Sequence, residues 1–326
     1  MSAEHAPVSL TIILCTFHRE ALLRQALQSL LGQQVPRGCQ VEIVVVDNSD
    51  AGTARSVVES LKSASPFPLR WIEAHPANIS VARNAGVAAA ATPFIGFLDD
   101  DQRVDPGWLE AVARAARNPD FDAHFGRNEA RFETPERTTP AILQLFTRVL
   151  DAPAGTELFA MGPRKTPGIT LATANSLFRR AAMLVGPGPF DPAFGAGGGE
   201  DYDLICRMQR RGSRFAWMPD AVASELVPAS RCAPAYMRRR IYAGGQAYAA
   251  AVSNASDHPA RMRWLMRLKA IVQAALMLPL FAVRAAQGRA ALLDHGFAFA
   301  GVLGKIAFGA IHPLYRRVDA EERAGR

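Results

Sequence analysis

Residues 91–101 read Ala-Thr-Pro-Phe-Ile-Gly-Phe-Leu-Asp-Asp-Asp. The apolar run Phe94–Leu98 predicts a strand buried on both faces, the kind found in parallel sheets. Three acids follow at once. Parallel α/β sheets bind ligands at the carboxyl ends of their strands, so Asp99, Asp100 and Asp101 stand where chemistry is expected. Three successive carboxylates repel one another and are costly to hold without a cation. Oxygen donors of this kind suit Mg²⁺ or Mn²⁺, which in turn bind a diphosphate. The competing reading is a solvated acidic turn that caps the helix starting near Pro106.

The same alternation extends in both directions from this strand. Val8–Cys15 is a β-branched, apolar strand leading into Thr16 to Arg19. Leu23, Leu27, Leu30 and Leu31 then repeat at helical spacing up to Gly32. Val41–Val46 is a second buried strand, ending in Asp47-Asn48-Ser49-Asp50. Val57, Val58 and Leu61 mark a helix, Leu69–Ile72 a short strand and Ser80–Ala91 another helix. Asp105-Pro106 reads as cap and first turn of a helix carrying Trp108, Leu109 and Val112. The βαβα order implies an α/β fold, a parallel sheet with helices on both faces. Residues 118–170 read as strands and loops with one helix near Ile142–Leu150. Beyond the glycine run 195–199, Glu200–Arg211 reads as a helix stopped by Gly212, and Phe215–Met218 as a strand.

The chain has 326 residues, 49% hydrophobic and 21% charged, a balance that excludes disordered and fibrous classes. Cys15, Cys39, Cys206 and Cys232 lie far apart with no CxxC pair, which argues against a disulfide scaffold or structural zinc and for reduced cytosol. The N-terminus has no basic region ahead of its apolar stretch and reads as a first strand, not a signal peptide. Charge is divided unevenly. Residues 1–229 hold 22 basic and 25 acidic residues, a net of −3, and residues 230–326 hold 15 and 5, a net of +10. The sequence therefore divides into an α/β region, 1–229, which carries the motifs, and a basic, apolar helical region, 230–326. In the second, an uncharged stretch runs from Ala270 to Val283, too short for a spanning helix and interrupted by Pro279. A later stretch, Phe297–Leu314, is broken by Lys305. Apolar helices with a local positive charge fit the surface of an anionic membrane, with Trp264 at headgroup level. An ordinary helical subdomain is the alternative. Nucleic acid is not expected, because no aromatic platform or recognised motif accompanies the charge.

Four segments in order and spacing, 9–33, 41–50, 79–101 and 197–212, together resemble an inverting family-2 glycosyltransferase of the GT-A fold, a Rossmann-like, mostly parallel sheet. Cys15-Thr16-Phe17-His18-Arg19, Glu200-Asp201-Tyr202-Asp203-Leu204, Glu225 and the Arg238-Arg239-Arg240 segment look most like bacterial succinoglycan-type exopolysaccharide enzymes. The resemblance implies transfer of a sugar from a nucleotide diphosphate, UDP above all, to a saccharide hydroxyl on a lipid-linked glycan. It places the enzyme in the cytoplasm, peripheral on the inner face of the membrane. Thr16 and Arg19 would line the nucleotide pocket, Asp47 would accept from uracil or ribose, and Arg83 would sit near base and diphosphate. Asp99, Asp100 and Asp101 would form the DxD motif, with Asp101 the direct ligand of Mn²⁺ or Mg²⁺ and Asp99 helping to hold ribose and metal. Glu225 stands where many relatives carry a metal-binding His, and its carboxylate would bind the metal in that place.

Inverting transfer needs a base opposite the leaving group. The resemblance gives that role to Asp201, assisted by Glu200 and Asp203. As residues alone, these are equally first-turn acids complementing a helix dipole. The glycine run lacks the sequence context of a P-loop or dinucleotide site and reads as a mobile loop that closes over bound donor. A nucleotidyltransferase on a similar fold and a non-catalytic, membrane-associated scaffold are the alternative functions.

Overall fold

A computed structural model of the chain describes residues 7–184 and 188–313. Residues 1–6 of the N-terminal segment, and Leu314 at the end of the second apolar stretch, lie outside the described residues. In chain order the first elements are β1 (Val8–Thr16), α1 (Glu20–Leu31), β2 (Cys39–Asp47), α2 (Arg55–Lys62), β3 (Leu69–Glu73), α3 (Ile79–Ala89) and β4 (Phe94–Phe97). Then come β5 (Gln102–Val104), α4 (Trp108–Ala116), β6 (Ala123–Phe132), α5 (Pro140–Phe146), β7 (Glu157–Leu158), β8 (Ser176–Arg179) and α6 (Arg180–Met183). The chain continues through α7 (Glu200–Arg210), β9 (Phe215–Val227), α8 (Pro234–Asn254), α9 (Pro259–Met277), α10 (Leu280–Ala286) and α11 (Arg289–Ile306). It divides into two compact units: Met1–Arg131 with Thr147–Phe190 and Arg211–Leu226, and Phe132–Phe146 with Asp191–Arg210 and Val227–Arg326. These units do not follow the composition break near Ser230, since α7 belongs with the C-terminal helices.

The first unit is organised by a sheet in the order β3-β2-β1-β4-β8-β6-β9-β5, with β7 on β9. The first four strands are parallel, and β8 joins β4 antiparallel. Alternation along β1 explains the layers. Leu10, Ile12 and Leu14 pack with Leu23, Leu27 and Leu30 of α1 and with Trp108 and Val112 of α4. Ile13 points the other way, towards α3, where a methyl on Gly86 would come 3.2 Å from both Ile13 Cδ1 and Val46 Cγ2. A strand buried on both faces has no polar side to show water. In-register pairing sets Thr16, Asp47 and Glu73 side by side at the ends of β1, β2 and β3. From the end of β4 the chain passes through Leu98, whose N–H donates to the Ile13 carbonyl at 3.2 Å, directly to the three acids.

Three elements differ from the sequence reading. The α4 helix starts at Trp108 behind Gly107, and Asp105 receives the Trp108 N–H on its backbone carbonyl, with no side-chain cap. The α5 helix stops at Phe146 because Arg148 leaves it to bridge Asn128 and send its guanidinium to the carbonyls of Gly126, Ala172 and Asn175. Instead of ending at Met218, β9 runs on to Val227, paired with β7 at one end and β5 at the other.

In the second unit α8 and α11 meet backbone to backbone. A side chain at Gly245 would collide with the Gly301 carbonyl. By contrast, α9 buries only Ala270 and Ala274, next to Val302. It breaks at Leu278-Pro279, where α10 turns away by 47°. Among the described residues no single helix is long and apolar enough to cross a membrane, although α9 and α10 together pass on length and composition.

His124 on β6 is buried beside Phe121 in the first unit. Burial, reinforced by the Arg179 charge, lowers its pKa from 6.5 to about 4. Below pH 6.5 the unfolded chain therefore takes up a proton that the folded chain refuses, so stability falls as pH drops towards 4. The full loss is about 3 kcal/mol. Urea unfolding from pH 7 to pH 4.5 should show this slope, and His124→Gln should flatten it. An unchanged slope in the variant would assign acid sensitivity to other groups.

Candidate active site

Gln102 builds the acidic corner after β4. Its N–H donates to the Asp99 carbonyl at 3.1 Å, and its side-chain Oε1 accepts from the Asp99 N–H at 3.2 Å. Asp100, at the middle of the corner, points inward and is buried. Thr16 Oγ1 donates to its Oδ2 at 2.7 Å and Arg19 Nη1 to its Oδ1 at 3.2 Å. The same Arg19 nitrogen lies 3.4 Å from Asp101 Oδ2. On the other flank, the buried Arg83 of α3 brings Nη2 to 3.8 Å from Asp99 Oδ1, its guanidinium over the Phe190 ring. Burial pushes the Asp100 carboxyl up to about 6, with Arg19 and Thr16 pulling down and the neighbouring acids pushing up. The β5–β9 register sets Glu225 opposite Gln102, one residue beyond Asp101.

The donor set suits a divalent ion in one specific manner. Among the described residues no three of His, Cys, Asp or Glu gather into a metal cage, and Glu225 does not complete one. Mg²⁺ and related ions are commonly held by one or two carboxylates together with substrate phosphates. Asp99 and Asp101, with side chains 41% and 11% exposed, present two carboxylates on either side of a buried third. Crowded anions of this kind favour an added cation.

Asp47 is placed differently from expectation. Its side chain is fully buried, and its two oxygens accept the N–H groups of Ser49 at 2.9 Å and Ala54 at 2.7 Å. The carboxylate thus shapes the loop between β2 and α2, because buried backbone donors in a tight loop need an acceptor.

In the second unit, Glu200 and Asp201 open α7. Glu200 is buried, and Asp201 is half-buried, with Oδ1 accepting the Tyr202 N–H at 2.6 Å. Asp203 pairs with Arg207 one turn later at 2.8 Å and accepts from Asn254 of α8 at 3.2 Å. Burial raises its pKa against the pull of Arg207. The glycine run ahead of α7 is packed tightly. A methyl on Gly197 would strike Ile311 and stand 2.8 Å from the His312 carbonyl. Gln246 of α8 grips the same C-terminal segment, donating to the Ala310 carbonyl at 3.2 Å and accepting from the His312 N–H at 2.9 Å. Close approach, and not freedom to move, is what these contacts require of Gly197.

Residues 11–184 match the family described as Glycosyl transferase family 2. The chain belongs to that family. It is 31% identical over 255 residues to the succinoglycan biosynthesis protein ExoM of Rhizobium meliloti (strain 1021), covering 78% of each chain. It is 26% identical over 241 residues to the validoxylamine A glucosyltransferase of Streptomyces hygroscopicus subsp. limoneus, covering 66% of this chain and about half, 52%, of that one. Solved structures share the fold. Staphylococcus aureus TarS 1–349 in complex with UDP-GlcNAc superposes with a TM-score of 0.57 at 18% identity, over 98% of this chain and 92% of the other. The mannosyltransferase PcManGT of Pyrobaculum calidifontis, in complex with GDP-Man and Mn²⁺, gives 0.56 at 16% identity, over 92% and 88%. This family-2 chain is a glycosyltransferase of GT-A fold, as the resemblance in its motifs implied.

Within the family-2 fold, Thr16, Arg19, Arg83, Asp99, Asp100 and Asp101 form one contact network, whereas Glu200 and Asp201 belong to the other unit. Three residues given no role in the sequence reading support that network. Gln102 fixes the corner. Asn84 exchanges two hydrogen bonds with the Phe190 backbone, at 2.8 and 3.0 Å, and so fixes the ring beneath Arg83. Asn48 donates to Pro76 and accepts the Asn78 N–H at 2.7 Å, holding the entry to α3. Their only sequence signal is a polar residue beside a motif at a position the fold buries.

Proposed function

We propose that this glycosyltransferase moves a sugar, with inversion, from a UDP-linked donor to a saccharide hydroxyl on a lipid-linked glycan, in exopolysaccharide or cell-envelope polysaccharide synthesis. The observation that carries the reading is the union of two arginines and three acids at the strand ends, both charges a nucleotide–metal complex requires. The names of the succinoglycan relative and of the UDP-GlcNAc complex support the pathway and the nucleotide.

In this reading Arg19 and Arg83 face the donor's phosphates, and Thr16 and Asp100 keep Arg19 in place. Asp47 holds the 48–54 loop that the base and ribose meet. Asp99 and Asp101 would hold Mn²⁺ or Mg²⁺, with Glu225, paired across from Gln102, the candidate for a further ligand. When bound, the cation draws charge off the departing diphosphate. Asp201 accepts the proton of the acceptor hydroxyl as its oxygen attacks the anomeric carbon and the bond to diphosphate breaks, and Glu200 assists from the start of α7. The basic region 230–326 keeps the enzyme, whose catalytic assignments fall within 1–229, on the inner face of the membrane where a lipid-linked acceptor is confined.

A panel of UDP- and GDP-linked sugars, offered to purified protein with Mn²⁺, with Mg²⁺ or with chelator, tests the reading. Donor turnover with a UDP-sugar that disappears in chelator, and a product of inverted anomeric configuration, is expected. Turnover indifferent to chelator would remove the cation, and preference for GDP-sugars would remove UDP.

A further inference from the structure

We infer that the outer face of α9 and α10 is the surface that enters an anionic bilayer, lying in the plane of one leaflet and not across it. The inference deepens the membrane reading above and rests on it. The helix is amphipathic in an inverted sense: its small residues Ala270 and Ala274 are buried, while its large apolar ones face outward. Trp264, Leu268 and Leu276 are 62%, 61% and 68% exposed, and Leu265, Ile271 and Val272 stand beside them. At 3.6 residues per turn, Leu265, Leu268, Val272 and Leu276 form one continuous stripe. Beyond the break, Leu280 and Val283 of α10 are also exposed. So large a contiguous apolar face marks an interaction surface.

Charge identifies the occupant. From Pro259 to Ile306 the chain carries seven Lys or Arg and a single acid, Asp294. Arg261 and Lys269 on α9 and Arg284 on α10 are exposed along the same helices. Apolar residues bordered by cations match the boundary between acyl chains and anionic headgroups, where each cation near the surface adds attraction. Trp264, exposed among the arginines at the start of α9, has the amphipathic ring that settles at headgroup level. A spanning arrangement conflicts with the same residues. It would draw Lys269, midway along α9, into the hydrocarbon, and it would have to pass a 47° bend at Leu278-Pro279.

The test uses full-length protein, its Leu268→Glu/Val272→Glu double variant and its Trp264→Phe variant. Each is floated with vesicles of phosphatidylcholine alone or mixed with phosphatidylglycerol. Wild type should float with the mixed vesicles and much less with phosphatidylcholine alone. The double variant should bind at least about tenfold more weakly while keeping its circular dichroism and its turnover of soluble donor. Lipids brominated near the headgroup should quench tryptophan emission, and Trp264→Phe should remove that quenching. A double variant that floats like wild type overturns this surface and leaves the membrane reading intact. Wild type that fails to float overturns both. Strongest quenching by lipids brominated at the chain ends would overturn the in-plane arrangement. Concentration-dependent dimers, abolished by the double variant without any vesicle binding, would assign the face to a second copy of the chain.

Discussion

Asp201→Asn protein is expected to bind nucleotide sugar as tightly as the parent and to transfer sugar about 100- to 10,000-fold more slowly, the usual contribution of a positioned general base. Asparagine keeps the shape of the side chain and an oxygen to accept the Tyr202 N–H, so the start of α7 is preserved. It loses the negative charge and any ability to take a proton from the acceptor hydroxyl. The dipole reading makes a different forecast. An acid that only complements a helix N-terminus contributes about 0.3–1 kcal/mol of stability and nothing to turnover. Steady-state transfer, donor affinity by calorimetry and a melting curve separate the two on one protein. A variant with parental turnover would remove Asp201 from the chemistry. Glu200→Gln is a useful companion, because Glu200 is buried and its loss should register partly as stability.

The second large effect is at the acidic corner. Asp101→Ala should weaken UDP binding in Mn²⁺ by about 100-fold or more, given that even supporting residues of a metal site contribute about 10–100-fold. In chelator the same variant should bind UDP almost as the parent does. Its fold should be little affected, because deletion also relieves repulsion on Asp99 and Asp100. Asp100→Ala supplies the contrast. Thr16 and Arg19 both donate to that buried carboxylate, and its removal leaves the buried Thr16 hydroxyl without an acceptor, which costs about 1–3 kcal/mol. The cost is partly offset because burial disfavours the Asp100 charge and because Arg19 keeps Asp101. The Asp100 variant should therefore show the same modest shift in melting with or without metal, while the Asp101 variant fails only when metal is needed. Equal UDP affinity of Asp101→Ala and parent in Mn²⁺ would dissociate the corner from the cation.

Local order made much of this enzyme readable from the chain alone. Predominantly apolar runs at Val8–Cys15, Val41–Val46 and Phe94–Leu98, broken only by Ser9, Thr11 and Glu42, specify strands buried on both faces, because no other short element hides so many large side chains. The sharp change to polar residues after each run marks the strand ends and so the corner with Thr16, Arg19 and Asp99–Asp101, which are neighbours in the fold. The break at Pro279 follows from the ring that cannot continue a helix. Long-range pairing decided the remainder. Whether a carboxylate meets a ligand or a loop depends on donors distant from it, and in Asp47 both oxygens turned to the backbone of Ser49 and Ala54. The extent of β9, and with it the register that brings Glu225 to Gln102, comes from pairing with β5 across more than a hundred residues. Gly197 reads as part of a mobile run in one dimension and is a point of contact in three, since the residue that forbids a side chain there, Ile311, lies more than a hundred residues further along the chain. Packing partners of that kind leave no periodicity in the segment they constrain. Composition likewise revealed that residues 259–286 are apolar and basic, but only the placement of Ala270 and Ala274 inward turned their large side chains towards the outside.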